Sequence, residues 1–178
     1  AITMGEDGLP IIDEEKCTGC GLCVKTCPKM VIALTSSKQE VHVRCRATMK
    51  GKDTRAVCSV GCIACKQCEK VCPFDAIHVV DNVAVIDYEK CRNCMLCVEK
   101  CPTKTITSKF PTRKKAVIIE EKCIGCTLCA KNCPVNAITG EVKKVHVVNQ
   151  DLCIGCSICQ EKCRKDAIEM IRNGHEQR

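Results

Sequence analysis

Apolar residues in this chain come in short runs separated by polar stretches, with no long amphipathic face. Residues 9–12, a run after Gly8, read as a strand. Val41-His42-Val43-Arg44 alternates with the period of two that marks a strand with one buried side. Residues 78–86 read as a hairpin turning at Asp81-Asn82, a weaker turn signal than Asn-Gly. Residues 142–148 read as a further strand. Residues 85–90, 117–122 and 147–152 share one plan with residues 9–16: an apolar strand end, then a polar stretch that delivers the chain to a cysteine. A unit that recurs in this way predicts tandem small modules. No apolar run approaches the roughly 20 residues of a membrane-spanning helix, and no signal peptide is visible at Ala1.

The cysteines carry the chemistry. The run C-x2-C-x2-C-x3-C occurs five times: Cys17, Cys20, Cys23 and Cys27; Cys62, Cys65, Cys68 and Cys72; Cys91, Cys94, Cys97 and Cys101; Cys123, Cys126, Cys129 and Cys133; Cys153, Cys156, Cys159 and Cys163. Proline follows the first four runs and Arg164 the fifth, which puts Cys163 in question. This is the bacterial ferredoxin signature for a 4Fe–4S cluster. Three cysteines at two-residue gaps wrap a tight loop around one face of a cubane. The longer gap starts a helical turn that carries the fourth cysteine away, and in two-cluster ferredoxins it ligates the other cluster. Gly19, Gly125 and Gly155 precede the second cysteine, where positive φ and close backbone approach are useful. Asn93 replaces glycine tolerably, and Ala64 predicts a strained or differently turned loop.

Composition supports this reading. The chain has 178 residues, 22 cysteines, two Phe, one Tyr and no Trp. Modules of 50–60 residues are marginal on apolar burial alone, so clusters must act as the core and binding should be coupled to folding. Disulfide scaffolds rarely repeat one fixed spacing. Structural zinc sites pair two C-x2-C units across a longer loop. Reactive thiols would need no five matching runs. The formal charge of +7 counts thiols as neutral. With five clusters at about −2 each the holo-protein carries roughly −3, so the basicity is poor evidence for nucleic acid, and none is expected as a partner. Free thiols and low-potential clusters suit a reducing compartment. Potentials on the order of −400 mV are expected.

Spacing decides which motifs pair. The second and third runs, and the fourth and fifth, are separated by hairpin-like stretches. The alternative, first with second and third with fourth, leaves the fifth alone. The expected sets are Cys62, Cys65, Cys68 and Cys101; Cys91, Cys94, Cys97 and Cys72; Cys123, Cys126, Cys129 and Cys163; and Cys153, Cys156, Cys159 and Cys133. Cys17, Cys20 and Cys23 await a ligand from upstream, and Cys27 serves a cluster whose loop is absent. Ala1-Ile2-Thr3 lies sixteen residues before Cys17, as Ala137-Ile138-Thr139 lies before Cys153, so the chain is expected to begin inside a larger subunit. About five clusters follow, four of them complete. The fold class is small α+β: tandem two-cluster ferredoxin-like modules with short strands and helical turns. Residues 1–40 form a half unit, 41–57 a basic insertion, 58–106 a module, 107–115 an exposed linker, 116–172 a second module and 173–178 a fraying tail. Cys45 and Cys58 stand outside the motifs as unligated thiols, cluster ligation by Cys58 and a mutual disulfide being the alternatives. His42, His78, His146 and His175 are assigned no role.

Residues 17–32, the basic stretch 41–60, and residues 61–106 with Cys72-Pro-Phe-Asp-Ala-Ile77 and Val85-Ile-Asp-Tyr-Glu-Lys-Cys91 resemble the B subunit of the Rnf complex, an ion-translocating ferredoxin:NAD oxidoreductase of bacterial membranes. The likeness covers roughly residues 1–106; the remainder resembles an added two-cluster module. It implies a place on the cytoplasmic face of the cell membrane, through an N-terminal anchor not in this chain, and reduced ferredoxin as donor. Electrons would pass to other subunits of the membrane complex, driving sodium or proton export. The chain then has no catalytic site of its own. A polyferredoxin subunit of a hydrogenase or formate dehydrogenase is the alternative. A radical S-adenosylmethionine enzyme finds support only in the overlapping Cys58-x3-Cys62-x2-Cys65 spacing. The basic loop from Arg44 to Arg55 is expected to help steer an acidic ferredoxin.

Overall fold

The computed structural model describes residues 1–6 and 10–172. Leu9, the tail at 173–178 and His175 lie outside the described residues. Contacts divide the chain into two compact units, Ala1–Ser37 and Lys38–Arg178.

In the first unit, β1 (Ile2–Met4) pairs antiparallel with β2 (Pro10–Ile12), Thr3 opposite Ile11. The ligand loop follows, then α1 (Leu22–Thr26). Both strands are exposed.

The second unit repeats one plan twice. β3 (Val41–Val43) pairs with β6 (Ile106–Ser108), and between them β4 (Ile77–Val80) and β5 (Val83–Ile86) form a hairpin. Its turn residues Asp81 and Asn82 have φ of 47° and 65°, the double left-handed pattern that matches strand twist. α3 (Gln67–Val71) and α4 (Leu96–Lys100) pack together against the strands. The second repeat has β7 (Lys115–Ile118) paired with β10 (Ile168–Ile171), an inner pair β8 (Ile138–Thr139) and β9 (Val147–Val148), and helices α5 (Leu128–Lys131) and α6 (Ile158–Lys162). In each repeat the outer strands close the module end to end. The sequence pattern shows strands but not this long-range pairing.

Three expectations change. The basic insertion is not a free loop: β3 belongs to the module's outer sheet, and residues 51–57 form α2 (Gly51–Val57), anchored by buried Thr54. The expected linker at 107–115 is partly strand. Thr107 and Ser108 pair with His42 and Val41, Lys115 opens β7, and Arg113 bonds Glu99. The expected strand at 142–148 shrinks to β9, because residues 141–144 turn, with Lys143 at φ 64° donating its N–H to the Gly125 carbonyl at 2.9 Å.

The repeats share one hydrogen bond. The carbonyl of the alanine opening the inner strand accepts from the residue leading into the next cysteine loop: Ala76 from Asp87 at 2.8 Å and Ala137 from Asn149 at 2.7 Å. In the first unit Ala1 accepts from Asp13 at 2.8 Å. The side chain of each donating residue then forms an Asx turn: Asp13 Oδ1 accepts from Glu15 N, Asp87 Oδ1 from Glu89 N, and Asn149 Oδ1 from Asp151 N. The apolar cores are small and built partly from cysteine. One gathers Val41, Ile77, Val83, Met95 and Ile106 around Cys62 and Cys68. The other gathers Ala116, Ala137, Ile138 and Ile168 around Cys129, Cys153 and Cys159.

Candidate functional site

All five cysteine loops have the same backbone. The residue before the second cysteine is left-handed in each: Gly19 (φ 70°), Ala64 (54°), Asn93 (51°), Gly125 (66°) and Gly155 (70°). So is the residue after it, the helix N-cap: Gly21, Lys66, Met95, Thr127 and Ser157. So is the third residue after the fourth cysteine: Met30, Asp75, Lys104, Asn136 and Asp166. Ala64 therefore turns like its counterparts and bears the strain of a β-carbon there. Only the first of these three positions was legible from glycine. Asn93 has a second task, since its amide bridges Glu40 N at 3.1 Å and the Lys38 carbonyl at 3.4 Å.

In the second unit the loops gather their cysteines in fours around cavities. One cavity is lined by Cys62, Cys65, Cys68 and Cys101. A second is lined by Cys72, Cys91, Cys94 and Cys97. A third has Cys123, Cys126, Cys129 and Cys163, and a fourth Cys133, Cys153, Cys156 and Cys159. Each thus takes three sulfurs from its own loop and one from the paired loop of its module. Cys17 and Cys20 lie on the loop before α1, Cys23 within α1 and Cys27 at its C-cap. All described cysteines are free thiols, so Cys45 and Cys58 form no disulfide. Cys45 packs on the first core and its sulfur accepts the Cys62 amide at 3.3 Å; Cys58 is exposed.

Burial holds several of the cavity thiols in their neutral form. Burial, reinforced by the neighbouring thiolates, pushes the Cys97 and Cys159 thiols up to about 12 and Cys68 to about 11. Burial likewise raises Cys91, Cys94, Cys129 and Cys156. The raised thiols among them release their protons more readily to a cationic core than to solvent. Amide donors are already aimed at sulfur: Ala76 N to Cys72, Ala137 N to Cys133 and Ala167 N to Cys163, at 3.4, 3.2 and 3.3 Å. At Cys101 burial opposes ionisation, but donors from Ile106, Thr103 and Thr105 outweigh it and lower the thiol. In the first unit the Leu22 amide and the Thr18 hydroxyl lower Cys20, and the Val31 amide leads in lowering Cys27.

One buried side chain at a cavity carries no mark in the sequence. His146 is 2% exposed and lines the cavity of Cys123, Cys126, Cys129 and Cys163. Its Nδ1 bonds the Lys144 carbonyl at 3.1 Å, while its buried Nε2 has no partner. A polar atom left unpaired there fits a cavity whose contents supply a partner. No spacing signal marks it. Val145 and Val147 on either side face solvent, so the stretch leading into β9 buries its histidine and exposes the valines that flank it.

The repeated loops, the fourfold cysteine cavities and the cluster-centred cores define a polyferredoxin: tandem ferredoxin-like modules carrying multiple 4Fe–4S clusters. 4Fe-4S dicluster domain families match residues 61–106, 90–137 and 116–170, and a 4Fe-4S binding domain family matches residues 10–33. The chain is similar to the B subunits of ion-translocating oxidoreductase complexes. It is 57% identical over 107 residues to the B subunit of the Na(+)-translocating ferredoxin:NAD(+) oxidoreductase complex of Acetobacterium woodii, covering 60% of this chain and 32% of that protein. It is 51% identical over 106 residues to the B subunit of the ion-translocating oxidoreductase complex of Methanosarcina acetivorans, covering 60% and 40%. It is 48% identical over 108 residues to the B subunit of the proton-translocating ferredoxin:NAD(+) oxidoreductase complex of Clostridium ljungdahlii, covering 60% and 38%. The chain thus spans about a third to two fifths of these relatives. Among the described residues, no helix is long and apolar enough to cross a membrane.

Proposed function

We propose that the chain is an electron-transfer subunit that accepts electrons from a reduced ferredoxin and passes them to other subunits of a membrane redox complex that translocates ions. The observation that carries this reading is the gathering of sixteen motif cysteines into four cavities of four. Each bound 4Fe–4S cluster supplies a one-electron centre. The four sulfurs of each cavity are its ligands, in the sets Cys62, Cys65, Cys68, Cys101; Cys91, Cys94, Cys97, Cys72; Cys123, Cys126, Cys129, Cys163; and Cys153, Cys156, Cys159, Cys133. Cys17, Cys20 and Cys23 hold a fifth, whose last ligand comes from elsewhere in the subunit.

The protein's part is to hold and tune. Amides donated to Cys72, Cys133 and Cys163 stabilise negative charge on sulfur and so raise potential, as burial lowers it. The basic stretch supports an acidic donor: Arg44, Arg46, Lys50, Lys52 and Arg55 are all exposed. The chain sits at the cytoplasmic face of a bacterial cell membrane. Iron and acid-labile sulfide counts with redox-titrated EPR test the assignment. About twenty iron and twenty sulfide per chain, reducible at low potential, are expected for five clusters. Zinc without labile sulfide overturns it.

A further inference from the structure

Within Lys38–Arg178 the two modules meet through their cysteine loops. Cys94 of the third motif and Cys156 of the fifth lie in one buried apolar group with Ile154, each no more than 8% exposed. Phe74 and Leu96 from one module, and Val135 and Ile158 from the other, pack against it. Phe74, Cys94 and Leu96 also line the cavity of Cys72, Cys91, Cys94 and Cys97. Val135, Ile154 and Cys156 also line that of Cys133, Cys153, Cys156 and Cys159. The same side chains are therefore the walls of both cavities and the joint between them. The cavities of the second and fourth motifs contribute nothing to this group.

Charged contacts border the joint. Arg92, inside the third motif, pairs with Glu161 of α6 at 2.6 Å. Glu40, beside β3, takes Arg172, just past β10, at 2.5 Å and Lys114 at 3.4 Å. Arg172 also lies 3.9 Å over the Phe110 ring. The Lys114 carbonyl packs so closely on Gly155 that a β-carbon there would collide with it.

We infer that the Cys94–Ile154–Cys156 contact is the electron crossing between the modules, and that it orders the centres of this unit in a row: second motif, third motif, fifth motif, fourth motif. The inference rests on the cluster assignment proposed above. At the crossing one electron leaves a reduced core on one side and enters an oxidised core on the other; no bond or proton moves. Tunnelling falls steeply with distance, and this contact leaves only ligand side chains and their immediate neighbours between the two cavities. The third and fifth motifs then form the inner pair, and the second and fourth the entry and exit.

The test uses the anaerobic full-length holo-protein, with iron and sulfide counted first, reduced by graded dithionite. Phe74→Lys places a charge in the apolar joint. Arg92→Glu sets like charges against each other, and adding Glu161→Arg restores the pair. EPR reads magnetic coupling between reduced centres, and hydrogen–deuterium exchange reads protection of residues 91–97 and 153–159. Phe74→Lys and Arg92→Glu are expected to lose the cross-module coupling and protection while keeping coupling within modules; the Arg92→Glu/Glu161→Arg double variant recovers both. Full cluster content with unchanged coupling and unchanged protection in both single variants overturns the crossing. If a variant loses clusters, the wild-type protein decides by pulsed dipolar EPR: a third short neighbour separation in this unit, beyond the two within modules, supports the row, and only two overturns it. Absence of iron and sulfide from the wild type would instead defeat the cluster assignment itself.

Discussion

The Ala167 amide donates to the Cys163 sulfur at 3.3 Å, and the same bond joins Ala137 to Cys133 at 3.2 Å and Ala76 to Cys72 at 3.4 Å. Cys163 is followed by Arg164 rather than proline, yet its sulfur sits in its cavity as the others do. Proline's fixed φ and missing N–H are thus a convenience for the chain reversal here, not a requirement. Cys163→Ala is expected to lower iron by about four atoms per chain, and Arg164→Pro to leave it unchanged. Iron and sulfide analysis of the two variants checks this; full iron in Cys163→Ala would remove that cysteine from the ligand set.

The raised thiols give a pH dependence with a defined sign. Cys97 and Cys159 are pushed up to about 12 and Cys68 to about 11, by burial first and neighbouring thiolates second. In the cluster-free fold the resulting stabilisation is fully present below the ordinary thiol value of 9.0 and is lost as pH rises through the raised values. Cluster binding needs the opposite state, because each ligand must release its proton. Reconstitution under limiting iron and sulfide is therefore expected to go further at about pH 8.5 than at about pH 7. The gap in thermal stability between cluster-bound and cluster-free protein should widen as pH climbs above about 9. Anaerobic absorbance and melting curves measure both. Assembly that improves on acidification would contradict the burial argument.

The left-handed positions predict opposite effects at two matching sites. Ala64 already carries a β-carbon at φ 54°. Ala64→Gly should stabilise by about 1 kcal/mol, the relief of that conformation. Gly155 has φ 70° and lies against the Lys114 carbonyl. Gly155→Ala meets both the conformational cost and a backbone collision, so a loss of about 2–4 kcal/mol is expected. Gly19 has nothing within 4 Å of its added β-carbon, so Gly19→Ala should cost only about 1 kcal/mol. Thermal unfolding of the holo-proteins ranks the three.

Much of this was legible because the cysteine spacing fixes the loop. Once three thiols must wrap a cube, the first αL turn and the short helix follow, while the αL residues after the second and fourth cysteines carry no mark in the sequence; each cavity is lined by three cysteines of one loop and one of its paired loop. Two kinds of feature escaped. The outer sheets, β3 with β6 and β7 with β10, join residues fifty or more apart, and nothing in a run of three or four residues names its partner. That is why 107–115 read as linker although Arg113 pairs with Glu99 and Lys114 with Glu40 across the module joint. His146 escaped because it is buried just ahead of β9, with Val145 and Val147 outside. A scan for alternation would turn that histidine outward.

The basic stretch offers a test of donor docking that separates charge from fold. Arg44 donates to Thr107 Oγ1 at 3.2 Å and so supports the β3–β6 pairing; reversing it would confuse the two. Arg46, Lys50, Lys52 and Arg55 are exposed on the loop and helix α2, and none of them lines one of the four cysteine cavities. Changing these four to Glu should leave cluster content and melting temperature near wild type. It should slow reduction by a reduced acidic ferredoxin by one to two orders of magnitude at low salt, within the roughly 10–1,000-fold range of electrostatic steering. Added salt should slow the wild type and leave the variant nearly flat, since the Debye length shrinks to about 10 Å at 0.1 M. Stopped-flow absorbance across an ionic-strength series measures both effects. A variant that keeps the wild-type rate and salt slope would move the donor site off this surface, leaving the cluster row untouched.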